Sequence, residues 1–197
     1  TNCRSGIFSR RAAPVQASYV GFLGTMSAPF IDYLLADDTI VPPTHREHYS
    51  EAIAYLPSYQ CNDDRQPAAG AMPARHALGL PASGFVFCCF NSVHKITPVV
   101  FARWMRILGQ VPGSVLWLYV DHETARRNLR AEAVNAGIDD QRLVFAGRVP
   151  LDEHLRRLQA ADLFLDTSPY NAGATASNAL RVGLDRKSTR LNSSHQI

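Results

Sequence analysis

Between Gly84 and about Val182, four short apolar runs alternate with segments of helical periodicity. Strands that recur with a helical segment between each pair are joined as parallel neighbours by crossover helices, so this half of the chain specifies an α/β unit around a parallel sheet. The strand-like runs are 85–90, 114–120, LVFAG (143–147) and 163–167. After the first, Thr97 is placed to cap a helix with Pro98 at its first position, and Phe101, Trp104, Met105 and Leu108 recur at intervals of three and four to make one apolar face. That helix stops near Val111-Pro112-Gly113. A second runs from about His122 to Ala136 and closes at Gly137, a third opens at Pro150 and reaches about Ala160, and a fourth covers Thr175 to about Val182. Such a series makes a Rossmann-like half, in which ligands are expected at the carboxyl ends of the strands.

The N-terminal portion is less regular. Residues 16–25 read as a strand running into a glycine turn, 31–37 as a second apolar element, and Tyr49 to Tyr55 as a short helix or strand after the break at Pro42-Pro43. Pro67, Gly70, Pro73, Gly79 and Pro81 mark the stretch up to Ser83 as the linker between the two parts.

Of the 197 residues, 46% are hydrophobic and 19% charged, which excludes a disordered chain, and no stretch approaches the roughly 18 apolar residues of a membrane span. The start, TNCRSGIFSRR, has no apolar run behind its basic residues and is not a secretory signal; without an initiator Met, it reads as cut from a longer chain. Cys3, Cys61, Cys88 and Cys89 have neither paired nor ligand-like spacing, so a reducing cytoplasm is expected and zinc is not. Of 20 basic residues only Lys95 and Lys187 are lysines, leaving 18 arginines dispersed among acids, a pattern that argues against a nucleic-acid stripe. Asp37-Asp38, Asp63-Asp64 and Asp139-Asp140 read as turn formers without metal-ligand partners, so no metal is expected.

Three strand ends carry polar clusters that together make one composite site. The first is Phe90-Asn91-Ser92-Val93-His94-Lys95, where a lysine at a strand-to-helix junction puts a compact charge on a phosphate. The second surrounds His154 and Arg157, three apart on a helix and so on one face, where an imidazole and a guanidinium can hold a planar base. The third runs from Asp166 to Asn178, with small residues that let backbone approach a ligand and Thr175 to offer a hydroxyl near helix N-terminal amides. Neither G-x-G-x-x-G nor G-x-x-x-x-G-K-[ST] occurs, so dinucleotide oxidoreduction and P-loop phosphoryl transfer have no support.

Residues 13–37, 48–57, 90–108, 112–118 and 149–180 closely resemble the catalytic region of the O-linked N-acetylglucosamine transferase family, glycosyltransferase family 41, in its bacterial form. The resemblance covers about residues 10 to 184. It implies a two-lobed GT-B fold of the α/β class, with residues 1–65 in a partial acceptor-side lobe, 66–83 as linker and 84–184 in a partial nucleotide-sugar lobe. It implies an inverting, metal-independent transfer of N-acetylglucosamine from UDP-GlcNAc to protein or peptide Ser/Thr, with no cofactor and with neither nucleic acid nor membrane as partner. Lys95 then lies on the donor diphosphate, Ser92 at a donor-contacting position, and His154 and Arg157 around the uracil with the backbone at Val149 beside them. Ala174 and Thr175 fall at the phosphates, and Asn178 falls where an Asp usually accepts ribose hydroxyl bonds. Residues 185–197 leave the pattern and read as a non-native tail. Two other readings remain open: the same scaffold with O-fucosyl or N-glucosyl transfer, and a non-catalytic nucleotide-binding or interaction module.

Overall fold

The computed structural model describes residues 4–59 and 70–187. Cys3, Cys61, Asp63-Asp64, positions 66–69 of the expected linker and positions 188–197 of the expected tail lie outside the described residues. Two compact units divide the chain, residues 1–61 and 62–197.

In the first unit, β1 (Ala17–Ser18), β2 (Tyr33–Ala36) and β3 (Ala52–Tyr55) form a parallel sheet in that order. Its small core is Leu34, Ala36, Val41 and Ile53, with Ile40 and Tyr49 packed against them. The segment left open as helix or strand is therefore a strand. The expected strand over 16–25 survives only as β1, because Val20 and Gly21 take φ of 53° and 111° and turn the chain out of extended conformation. Buried Glu51 then holds the following loop, accepting from the Thr25 hydroxyl and the Met26 amide, each at 2.6 Å. Asp37 behaves as a turn former, its two oxygens accepting from the amides of Ile40 and Tyr59 at 2.8 and 2.7 Å.

The second unit is a five-stranded, all-parallel sheet. Its elements are β4 (Val86–Cys89), α1 (Pro98–Gln110), β5 (Val115–Tyr119), α2 (Glu123–Asn135), β6 (Leu143–Ala146), α3 (Leu151–Leu158), β7 (Leu163–Leu165), α4 (Ala174–Arg181) and β8 (Arg186–Lys187), with strand order β6-β5-β4-β7-β8. The Thr97 side chain accepts from the Val100 amide at 3.3 Å and Pro98 opens α1, whose buried face carries Phe101, Trp104, Met105 and Leu108 as the spacing predicts. All four residues of β4 are buried, because helices cover both faces of a parallel sheet. Cys88 and Cys89 are buried free thiols in that strand, and loss of hydration pushes both up, Cys89 to about 12. They fit the reading of small core residues.

Two devices fix how the strands enter the sheet. Gly84 has φ of +103°, and a Cβ there would lie 2.6 Å from the Gly113 carbonyl oxygen, so the approach to β4 admits only glycine. Residues 70–83 are anchored within the unit: Leu80 is in its core, and Arg75 donates to the carbonyls of Ala160 and Gly84 and to Asp162.

Candidate functional site

The strand order decides where a site can form. The chain builds outward from β4 through β5 to β6, then returns to place β7 on the other side of β4. The loops after β4 and β7 consequently leave in opposite directions and open a crevice at their carboxyl ends, the usual ligand position in such sheets. The first and third polar clusters meet there.

What joins them is a buried hydrogen-bond network. Asp166, 1% exposed, accepts at Oδ1 from the amides of Thr167 and Ala172, both at 2.8 Å, and from Asn91 Nδ2 at 3.1 Å; its Oδ2 accepts from Asn171 Nδ2 at 3.1 Å. Asn91 Nδ2 also donates to the Thr167 hydroxyl at 2.8 Å, and that hydroxyl donates to the Tyr170 carbonyl at 2.7 Å. A buried carboxylate survives in an apolar core only when its lone pairs are satisfied, and here the partners come from both loops, so the carboxylate ties one to the other. Lys95 sits over this knot, donating to the Asn171 carbonyl at 3.1 Å with its ammonium 4.3 Å from the Tyr170 ring centroid. Partial burial pulls the lysine below its ordinary value while the nearby Asp166 charge opposes that shift. Ser92 is exposed and precedes the short 3-10 turn Val93–Lys95, its carbonyl accepting from the Lys95 amide at 2.9 Å.

The second cluster follows β6. Arg157 is 6% exposed: it donates to the Gly147 carbonyl at 2.8 Å and lies over the Phe90 ring, 4.9 Å from its centroid. His154 is half-buried and sets its ring edge-on to the same Phe90, with centroids 5.3 Å apart. Phe90, the residue after β4, thereby links this cluster to the crevice. Arg157 Nε and Nη2 both reach His154 Nδ1 at 3.3 Å. A guanidinium only donates, so Nδ1 accepts and the neutral ring carries its proton on Nε2. Burial, with the Arg157 charge beside it, pulls His154 down to about 4, which keeps the ring neutral at physiological pH. Val149 is half-buried on the approach to α3.

At α4, Gly173 and exposed Ala174 begin the helix, and Thr175 and Asn178 follow half-buried along its first turns. The first four amides of a helix have no partners within it and carry the positive end of its dipole, a setting for negative charge. Sequence reasoning thus placed Ser92, Lys95, Ala174, Thr175 and Asn178 on the loops and helix flanking one crevice, with His154 and Arg157 linked to it through Phe90. Asn91, Asp166, Thr167 and Asn171 belong to the same clusters, and their residue types alone point to no role. The one signal for them was an apolar strand ending directly in Asp-Thr.

A parallel-sheet α/β unit with a cation, a neutral imidazole and a helix start around its switch point offers chemistry suited to an anionic group beside a planar polar one. The sequence model of glycosyl transferase family 41 matches residues 1–67 and 59–188, and the chain belongs to that family. It is 35% identical over 187 residues to the probable UDP-N-acetylglucosamine–peptide N-acetylglucosaminyltransferase SEC of Arabidopsis thaliana, covering 92% of this chain and 19% of that protein. It is 32% identical over 189 residues to the corresponding SPINDLY protein of Petunia hybrida, covering 93% of this chain and 20% of that one. The chain therefore spans about a fifth of the length of the curated relatives it matches. A solved structure of a mutant O-GlcNAc transferase from Thermobaculum terrenum superposes with a TM-score of 0.78 at 29% identity, over 91% of this chain and 34% of that one. The α/β fold of GT-B type expected from the sequence is the fold found. Among the described residues no helix is long and apolar enough to cross a membrane.

Proposed function

We propose that this chain is part of an inverting glycosyltransferase that moves N-acetylglucosamine from UDP-GlcNAc to Ser or Thr of cytoplasmic proteins. The observation that carries the reading is the position of Lys95 at the β4/β7 switch point, its ammonium on the Asn171 carbonyl of the loop that leads into α4. The relatives' names, UDP-N-acetylglucosamine–peptide N-acetylglucosaminyltransferases, supply the sugar and the peptide acceptor.

In this reading the diphosphate lies between Lys95 and the helix start at Ala174 and Thr175. As the acceptor hydroxyl oxygen bonds to the anomeric carbon, releasing its proton, and the bond from sugar to phosphate breaks, negative charge grows on the leaving diphosphate, and a fixed ammonium with unpaired helix amides stabilises that charge more than it stabilises the bound substrate. Lys95 and the helix supply the electrostatic role a divalent cation would otherwise take, so the transfer runs without a metal. His154 offers its Nε2–H to a carbonyl oxygen of the uracil, Arg157 holds it in that tautomer, and the backbone at Val149 lies alongside. Asn178 takes the ribose hydroxyls and Ser92 edges the donor.

Transfer from radiolabelled UDP-GlcNAc to Ser/Thr peptides, by the longer protein that carries this region, tests the proposal. Transfer that persists in EDTA and falls about a hundredfold or more in Lys95→Ala supports it. Peptide transfer from a GDP-linked sugar alone, or none from any nucleotide sugar, overturns it.

A further inference from the structure

Tyr170 and Asn171 have no part in the chemistry just described, yet both close on the same cation. Tyr170 is 51% exposed and lies outside the apolar cluster of its unit, so core packing does not account for the placement of its ring. The backbone on either side is fixed: the Tyr170 carbonyl accepts from the Thr167 hydroxyl at 2.7 Å, and the Ala172 amide reaches buried Asp166 at 2.8 Å. Asn171 is held as well, donating to the Thr167 carbonyl at 2.9 Å and to Asp166 at 3.1 Å. A lysine carries a long flexible stem, and ordering it when a ligand arrives costs rotamer entropy. A ring face and a carbonyl that already hold the ammonium remove part of that cost. The carbonyl uses one of its three N–H bonds and the π face claims none specifically, which leaves donors for an anion. Resting on the reading of Lys95 as a diphosphate contact, we propose that Tyr170 is a positioning residue, holding the Lys95 ammonium in the switch-point crevice through its ring face with the Asn171 carbonyl as second support.

The chain has only two lysines, so selective 13C-lysine labelling of the 197-residue chain gives two side-chain signals that Lys95→Met assigns. An aromatic face shifts protons lying over it upfield. The Lys95 εCH2 signal is expected upfield of the value for a free lysine, to stay there in Tyr170→Phe and to lose the shift in Tyr170→Leu. In calorimetric titration with UDP, Tyr170→Leu weakens binding about two- to fivefold, Tyr170→Phe does not, and the loss is absent in a Lys95→Met background. Uridine binding is unchanged in all variants. An unshifted Lys95 signal, or a Tyr170→Leu loss that persists without Lys95, overturns the positioning role while leaving the diphosphate reading intact. Should Lys95→Met bind UDP as wild type does, the diphosphate reading itself fails, and the proposal falls with it.

Discussion

Asp166→Ala removes the acceptor that joins the two loops of the crevice, and four hydrogen bonds that the carboxylate accepts set the scale of its cost. The two side-chain donors keep other partners, since Asn91 Nδ2 still reaches the Thr167 hydroxyl and Asn171 Nδ2 the Thr167 carbonyl. The amides of Thr167 and Ala172 are left without the acceptor they share. A buried unsatisfied N–H costs about 1–3 kcal/mol, so the pair gives about 2–6 kcal/mol, a large part of the roughly 5–15 kcal/mol that stabilises a typical domain. Asp166→Asn keeps a carbonyl oxygen at the Oδ1 position for both amides and loses the bond from Asn171, about 1.5–3 kcal/mol for a bond to a charged group. Urea unfolding followed by tryptophan fluorescence reads both, because Trp104 and Trp117 are buried in the core of this unit. The expected order of stability is wild type, Asn variant, Ala variant. An Ala variant within about 0.5 kcal/mol of wild type, the range of ordinary surface substitutions, would refute the network's role.

Three further outcomes follow from the same geometry. Lys95→Ala in the longer protein lowers kcat by a larger factor than it raises KM for UDP-GlcNAc, since the ammonium opposes charge that develops as the diphosphate leaves; steady-state kinetics checks the split. His154 stays neutral in the folded chain down to about pH 4, whereas in the unfolded chain it takes up a proton near 6.5, so stability falls as pH drops through that window. The gap corresponds to at most about 3 kcal/mol, screened to about half by the ring's partial exposure, and His154→Gln should lose less stability than wild type between pH 7 and 4.5 in urea titrations. Asn178→Asp should tighten UDP binding about fivefold by calorimetry, because a carboxylate accepts hydroxyl bonds more strongly than an amide does.

The elements that sequence specified well are those whose signal is local. Thr97, Pro98 and the apolar spacing from Phe101 to Leu108 wrote α1 into a dozen consecutive residues, and the buried strands β4 to β7 read as uninterrupted apolar runs. Lys95 was legible because it is nearly the only lysine of the chain. The role of Asp166 was not, because its partners include Asn91, 75 positions earlier, and two backbone amides that have no sequence signature. Arg157 shows the same limit: helical spacing puts it on one face with His154, but the burial that turns its guanidinium onto Phe90 and Gly147 depends on β4 and β6. The shortness of β1 reflects positive φ at Val20, which a β-branched residue rarely adopts and which no pattern announces.

In the proposed function the switch-point crevice holds a uridine diphosphate sugar against Lys95. Titration calorimetry of the 197-residue chain with UDP-GlcNAc, a GDP-linked sugar and uridine tests it most directly, repeated on Lys95→Met. UDP-GlcNAc is expected to bind more tightly than either of the other two, and Lys95→Met to narrow its advantage over uridine. Equal affinity for the GDP-linked sugar, or an advantage of UDP-GlcNAc over uridine that Lys95→Met leaves unchanged, would contradict it.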